Sequence, residues 1–435
     1  MANKTHANSV RRAVVVDGCR IPFLRSGTQY RDLSAYDLAR LAIKAILHKT
    51  QIEPGRIDQV IMGNVIVNNK YSNVARQAAL AAGVPHQVPA YTITLACVSA
   101  NQAITDAVAL IETGQADVVL AGGTESLTDV PIPLRKRLRD KLVEAQKYRG
   151  PMDYMKFFKG LRPKDLLPDV PAIAEFSTGR TMGQDCDRLA ARIGVSRQEQ
   201  DEYALRSHQL AARATREGLF NDEVVPVRVP PHFEPVQKDN GIREDSTLEK
   251  LASLKPAFVR PYGTLTAGNS SFLTDGAAVV LLMAEEAARA LSYRPKAAVK
   301  GYAYSAQDPR EELLLGPAYA TPRVLDQTGL TLKDIQVFEF HEAFAAQILA
   351  NLKCLASDQF AREHLGRDKA VGEIPMEQFN TLGGSLSLGH PFGATGARLI
   401  TTAANRLQRE DGQFALVAAC AAGAIGSAIV LERLN

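Results

Sequence analysis

The same apolar pattern occurs twice in the chain, and this repeat limits the fold more than any other feature. In "AILHKTQIEPGRIDQVIMGN" (45–64) the residues Ile46, Leu47, Ile52, Ile57 and Val60 occupy the slots that Val324, Leu325, Leu330, Ile335 and Phe338 fill in "RVLDQTGLTLKDIQVFEFHE" (323–342). The offset is 278 residues. Further on, "GQADVVLAGG" (114–123) corresponds to "GQFALVAACA" (412–421) at an offset of 298, so the second copy is expected to hold about 20 extra residues, placed in the polar stretch 357–377. Two copies of one supersecondary design pack together, and a ligand site is expected between them.

The repeated unit is itself readable. Strand-like runs "AVVVDG", "QVIMGNVIV" and "DVVLAGG" alternate with helical patterns such as 37–48 and 103–111, the βα alternation of an α/β fold with a mostly parallel sheet. That rhythm stops between Leu127 and about Pro256. The interval holds a basic run, proline-rich stretches and one well-signalled helix, "SRQEQDEYALRSHQLAARATREG" (196–218), opened by a Ser196/Glu199 capping box and closed by Gly218. It reads as an inserted, mostly helical domain, 128–255. The strand "AAVVLLM" (277–283) then completes the first half (1–127 with 256–293), and 294–435 forms the second.

Bulk properties exclude several classes. The 51 Lys and Arg against 47 Asp and Glu leave a net charge of +4, too little to argue for a nucleic-acid ligand. Five scattered cysteines, at 19, 97, 186, 354 and 420, form neither a CxxC nor a zinc-type spacing and suit a reducing compartment. A strand pattern begins at Ala13, leaving too little chain for a presequence, so a cytoplasmic protein is expected. The uncharged run 414–431 is rich in Ala, Gly and Ser and reads as a buried strand, turn and strand rather than a membrane span.

Four stretches at strand ends carry candidate chemistry. Cys97 in "TITLACVSANQA" (92–103) lies between a strand-like run and a plausible helix start, where unpaired N–H groups favour a thiolate; the plain alternative is a buried structural cysteine. "NTLGGSLSLGHPFGATGAR" (380–398) surrounds His390 with five glycines, which implies close backbone approach and makes His390 a candidate base. Cys420 in "VAACAAGAIG" and His341 with Glu342 in "FEFHEAFAAQ" stand at matching ends of the second copy, where open α/β sheets bind ligands. Each has a bland reading as core or helix start.

Together these motifs, with "TAGNSSFLTDGAA" (266–278), make the chain resemble the thiolase family over essentially its whole length. "HEAFA", "AIAEFSTGRTMG" (172–183) and "SLSLGHPFGATG" are most similar to the β subunits of fatty-acid-oxidation trifunctional complexes and their bacterial counterparts. The resemblance implies a layered αβαβα architecture and a 3-ketoacyl-CoA thiolase. In that chemistry Cys97 is the acyl-carrying nucleophile, His390 its activating base and Cys420 the second acid/base. His341, standing where most thiolases have Asn, holds the water or donor set that stabilises the enolate oxygen, the backbone N–H groups of Cys97 and Ala422 form an oxyanion hole if Ala422 keeps a negative φ, and Met182, Ser271 and Phe344 line the coenzyme A and acyl pocket. Coenzyme A is a co-substrate; no metal or permanently bound cofactor is implied. Asp185 and Cys186 stand where many thiolases have Thr and Ala, and the turn after Cys420 is richer in Ala than in many relatives.

The resemblance further implies a homodimer that could join a hydratase/dehydrogenase α subunit. In 133–164, eleven Lys or Arg face three acids, interleaved with Tyr148, Tyr154, Met155, Phe157 and Phe158; coenzyme A phosphates, anionic lipid, a partner subunit and plain solvation compete to explain it. The rival activities are a biosynthetic acetoacetyl-CoA thiolase, a ketoacyl-synthase-like condensing enzyme, against which Cys420 argues, and a non-catalytic acyl-CoA binder.

Overall fold

The computed structural model describes residues 11–169 and 174–434. The first ten residues, on which the presequence argument turns, and Ala172 and Ile173 of the 172–183 motif lie outside them.

Nine main strands run in chain order: β1 (Ala13–Arg20), β2 (Gln59–Gly63), β3 (Ala90–Ile93), β4 (Val118–Glu125), β5 (Thr274–Ala284), β6 (Ala297–Ala306), β7 (Val337–Phe340), β8 (Phe414–Ala421) and β9 (Ile425–Arg433). They join in the order β7-β8-β9-β6-β1-β5-β4-β2-β3, with the short Leu24–Arg25 strand beside β5. Each half repeats one topology. In the first, β1–β5 and β5–β4 are antiparallel while β4–β2 and β2–β3 are parallel. In the second, β6–β9 and β9–β8 are antiparallel, β8–β7 is parallel, and a parallel bridge from Phe338 to Phe379 stands in place of β3. The halves meet where Val14 and Val15 pair with Ala298 and Ala297.

Two details differ from the expectation. The sheet is mixed rather than mostly parallel, because β5 returns after the insertion and β9 returns through a tight turn, neither by a crossover helix. The ladders also set the repeat differently. Gln59 stands opposite Val119 and Val337 opposite Ala415, so the 278 offset of β2/β7 goes with 296, not 298, in β4/β8. A two-residue slip preserves the inward and outward alternation, which is all the apolar pattern could report.

The principal helices are α1 (Ala35–Thr50), α2 (Val74–Ala82), α3 (Ser99–Glu112), α4 (Lys136–Ala145), α5 (Pro151–Phe158), α6 (Met182–Ile193), α7 (Arg197–Arg216), α8 (Gly316–Thr328), α9 (Ala345–Leu355) and α10 (Thr395–Arg409). The Ser196/Glu199 capping box opens α7 as the sequence indicated. Alternate residues of the strands divide between layers. Ala278, Val280 and Leu282 of β5 and Ala415, Val417 and Ala419 of β8 face a central core with α3 and α10. Val279, Leu281 and Met283 face α1 and α2 on one outer side. Leu416, Ala418 and Cys420 face α8 and α9 on the other. The result is the αβαβα stack. Cys186, Leu189, Tyr203 and Ala204 of α6 and α7 belong to that last core, so these helices, which interrupt the first half in sequence, pack on the second.

The loop ahead of α10 lies close against the end of β4 because glycine permits it. A Cβ on Gly123 at the end of β4 would sit 1.7 Å from the Gly393 carbonyl oxygen, and one on Gly393 would sit 2.6 Å from the Thr124 oxygen. Both obstacles are backbone. Gly123→Ala is therefore expected to destabilise the fold by about 2–3 kcal/mol, as overpacking of a rigid core does, whereas Gly150→Ala, which meets nothing within 4 Å, should leave the denaturation midpoint within experimental error; equal midpoints for the two would contradict the packing.

Candidate active site

Four loops at the carboxyl ends of β3, β7 and β8 and ahead of α10 converge. Cys97 lies in the tight turn between β3 and α3, and the turn is strained: Ala96 has φ 47°, a conformation that costs a non-glycine residue about 1–2 kcal/mol. Ser99 holds it, donating its hydroxyl to the Ala96 carbonyl at 2.7 Å and accepting the Leu95 N–H at 2.8 Å. This geometry lifts the half-buried Cys97 sulfur off the strand end toward the second half.

His390 follows Gly389, whose φ of 106° is closed to other residues. Its backbone N–H donates to Thr274 Oγ1 at 3.0 Å, and its Nδ1 lies 2.6 Å from Thr395 Oγ1. The Thr395 hydroxyl has the Pro391 carbonyl as acceptor at 3.0 Å. With that hydrogen placed, Thr395 accepts Nδ1–H and the Nε2 lone pair of His390 is left free, and Nε2 indeed has no partner among the described residues.

His341, fully buried just past β7, stacks obliquely on His390 with ring centroids 3.9 Å apart. A ring nitrogen of each histidine and Cys97 Sγ all lie within 4.8 Å of one another. Neighbouring Glu342 is a tie rather than a helix cap: it accepts from Tyr203 Oη at 2.7 Å, Ser207 Oγ at 2.9 Å, Asn380 Nδ2 at 2.7 Å and the Leu386 N–H at 3.2 Å, fastening α7 to the second half.

Cys420 ends β8 fully buried, close enough to Cys97 that a charge on one opposes a charge on the other. In the turn beyond it the positive φ values fall on Gly423 and Ala424, not on Ala422. The Ala422 N–H is thereby turned toward the Cys97 sulfur, as is the N–H of Cys97 itself, so the richer alanine content leaves this donor pair in place.

Of the residues suggested for the pocket, Ser271 and Phe344 adjoin the turn that carries His341. Met182 opens α6 and packs on the second-half core. The Ser271 N–H donates to the Ala343 carbonyl at 3.0 Å, and Phe344 meets Phe258 edge to face at 5.8 Å. Asp185 pairs with Arg180 and lines a separate cleft of about 240 Å³ with Arg188, Arg192 and Arg310. Cys186 is buried behind Cys420.

Four residues were not singled out in the sequence. Thr395 orients His390. Ser385 and Arg398 stand behind His341. Glu125, buried at the end of β4, accepts the N–H groups of Val65, Ile66 and Gly393, each at 3.0 Å, and Asn64 Nδ2 at 2.8 Å. The one available signal was a charged residue among small and apolar neighbours, as at Arg398 in "GATGARLI" (393–400).

Electrostatically the resting site is neutral. Burial pushes the Cys97 thiol up to about 12, against the pull of the Ala422 N–H, and burial together with the Arg398 charge pushes His390 down to about 3. His341 is lowered by burial and by both His390 and Arg398, and Cys420 is raised by burial. Between these values Cys97 rests as a thiol beside a neutral imidazole rather than as an ion pair. The arrangement suits general-base activation, in which sulfur gives up its proton as it bonds to an electrophile. Because the other four cysteines are buried, iodoacetamide should alkylate Cys97 selectively, at a rate rising about tenfold per pH unit from pH 7 to 9 as thiolate forms. A plateau across that range would instead signal a preformed thiolate–imidazolium pair.

The residues 13–286 match the family model "Thiolase, N-terminal domain" and 293–433 match "Thiolase, C-terminal domain". The bovine mitochondrial trifunctional enzyme subunit beta is 55% identical over 424 residues, 98% of this chain and 89% of that protein. A 3-ketoacyl-CoA thiolase of Yersinia pestis is 46% identical, covering 97% of both. Among solved structures, human mitochondrial 3-ketoacyl-CoA thiolase in complex with CoA superposes with a TM-score of 0.83 at 32% identity over 98% of each chain. An acetyl-CoA acetyltransferase of Bacillus anthracis gives 0.84 at 33% over 98% of this chain and all of that one. With a strained cysteine turn facing a glycine-framed histidine across a repeated αβαβα core, and with both halves matched by the family models, this chain belongs to the thiolase family.

Proposed function

We propose that the protein is a 3-ketoacyl-CoA thiolase that shortens fatty acyl chains, carried above all by the approach of Cys97 Sγ, His390 and His341 to within 4.8 Å. Cys97 attacks C3 of the 3-ketoacyl thioester while His390 Nε2 takes its proton. The oxyanion formed at C3 is met by the N–H groups of Cys97 and Ala422. When the C2–C3 bond breaks, the electron pair passes to the acetyl-CoA enolate, whose oxygen faces His341, and Cys420 gives its proton to C2. Coenzyme A then enters as co-substrate, its thiol proton passes to the Cys420 thiolate, and its sulfur displaces the shortened acyl group from Cys97, which recovers its proton from His390. Met182, Ser271 and Phe344 line the channel for the coenzyme and acyl chain. Turnover is ping-pong.

The test is stepwise. Cys97→Ala should abolish acyl-enzyme formation. Cys420→Ala should still acquire the acyl group from acyl-CoA but lose thiolysis by about 10²–10⁴-fold, the usual contribution of a positioned acid or base. Full thiolysis by Cys420→Ala would favour a condensing enzyme instead.

The proposed assembly is a homodimer formed on the edge strand β3, where Tyr91, Thr92 and Ile93 are half-exposed. An α subunit with hydratase and dehydrogenase activities is a suitable further partner, in line with the trifunctional relatives. A reducing, cytoplasmic setting agrees with five unpaired cysteines; no helix among the described residues is long and apolar enough to cross a membrane.

Within the 128–255 insertion, α4 buries no residue, and Met152, Tyr154, Met155 and Phe158 around α5 stand exposed, Met152 and Met155 at 76%. Clustered cations beside exposed apolar side chains suit an anionic lipid surface. Replacing Arg135, Lys136 and Arg137 with Gln should weaken binding to anionic vesicles on the order of a hundredfold, taking about 1 kcal/mol for each cation, while thiolysis of short soluble substrates persists; a parallel loss of both would assign the segment to coenzyme binding.

A further inference from the structure

His341 can serve an enolate oxygen directly only if its Nε2 carries the proton, and nothing that touches Nε2 decides this, because Nε2 has no partner among the described residues. The decision is made on the far side of the ring. His341 Nδ1 lies 3.0 Å from Ser385 Oγ. Ser385 Oγ also accepts from Arg398 Nη2 at 3.2 Å, and Arg398 in turn reaches Glu339 Oε2 through Nη1 at 3.4 Å. All four residues are fully buried.

A serine hydroxyl has one hydrogen to place. Among the described residues the Ser385 hydroxyl has two side-chain partners, and Arg398 can only donate, so His341 Nδ1 is the sole acceptor within reach. If Nδ1 were itself protonated, the Ser385 hydrogen would be buried without an acceptor, at a cost of about 1–3 kcal/mol. The guanidinium works in the same direction. By donating to Ser385 Oγ it polarises the O–H bond and strengthens its donation to Nδ1. It also holds His341 neutral, since a second positive charge beside a buried guanidinium is unfavourable.

We propose that Ser385, backed by Arg398, is a positioning residue that fixes His341 as the Nε2–H tautomer and so makes it a direct hydrogen-bond donor to the enolate oxygen. The two stacked imidazoles then present opposite characters to one cleft: a lone pair on His390, set by Thr395, and an N–H on His341, set by Ser385. This rests on the thiolase reading above but concerns only the enolate side of the reaction.

The steps can be separated in solution. Enolate formation is read as deuterium exchange at C2 of acetyl-CoA in D2O, and the nucleophile with its base as the alkylation rate of Cys97 and the acylation burst from acyl-CoA. In Ser385→Ala, exchange and thiolysis kcat should fall about 10- to 100-fold, within the range seen when a positioned donor is lost, with KM changed less than about threefold and with alkylation and the acylation burst unchanged. Ser385→Thr, which retains the hydroxyl, should restore exchange. In selectively ¹⁵N-labelled protein the His341 signals should mark Nε2–H in the wild type and lose that bias in Ser385→Ala.

Exchange unchanged in Ser385→Ala would overturn the proposal. So would an equal fall in exchange and alkylation, or failure of Ser385→Thr to restore exchange, because either points to general disruption of the loop. A wild type with no C2 exchange and no acylation burst would sink the thiolase reading itself, whatever Ser385 does.

Discussion

Everything in the site depends on a backbone-to-backbone approach that side chains would prevent. The ends of β2 and β4 present Gly63 and Gly123 to the Gly393 carbonyl, at spacings that leave no room for a Cβ. A Glu125 carboxylate closes the same contact from beneath, taking N–H groups from both halves of the chain. Without that approach the His390 turn, which belongs to the second half, would be held several ångströms from the Cys97 turn of the first. Hydrogen bonding supplies direction and glycine supplies distance. Four N–H donors replace part of the water lost by this carboxyl, and burial still outweighs them, pushing Glu125 up to about 7.

A second constraint is charge. Arg398 lies fully buried on the central helix α10, balanced by Glu339, which Arg406 also engages at 2.9 Å. Its field reaches both histidines and lowers both. A cation so close to two bases would be a poor neighbour if the site worked as a standing ion pair. It is a good one if the imidazoles must stay neutral until substrate arrives, one to accept a proton and the other to donate a hydrogen bond. Thr395 and Ser385 then set which nitrogen faces the cleft, so two identical side chains 3.9 Å apart acquire different roles through partners that never touch substrate.

The legible parts of the molecule were those carried by local pattern. Short continuous apolar runs announced β1, β4 and β5, a capping box announced α7, and the duplicated pattern announced the paired halves, because each of these is written in neighbouring residues. Strand polarity was not so written. Whether β5 runs with or against β4 depends on how the chain returns after 128–255, which no short window contains, and the repeat offset was ambiguous by two because alternation reports only parity. The cysteines and histidines stood out through rarity and glycine context. Ser385, Thr395 and Glu125 did not, since a serine, a threonine and a glutamate look ordinary until burial removes the water that would otherwise satisfy them. Packing of α6 and α7 on the second half was invisible for the same reason: Tyr203 and Ser207 find Glu342 only in space.

The duplication places one thiol at the centre from each half, and their surroundings divide the labour between them. Cys97 rides on a strained turn, half-exposed, with two N–H groups turned toward its sulfur. Cys420 lies within a strand, fully buried, where burial raises its thiol as it raises that of Cys97, but with only its own N–H turned toward the sulfur. A sulfur that must bond to carbon needs reach and a route for departing charge, and only the first position provides both. A sulfur that must only exchange a proton needs neither, and it gains from a buried resting state, because a thiol with a raised pKa holds its proton until a carbanion-like enolate forms beside it. Under the proposed mechanism the asymmetry between nucleophile and acid therefore follows from the half-exposed turn on one side and the buried strand on the other.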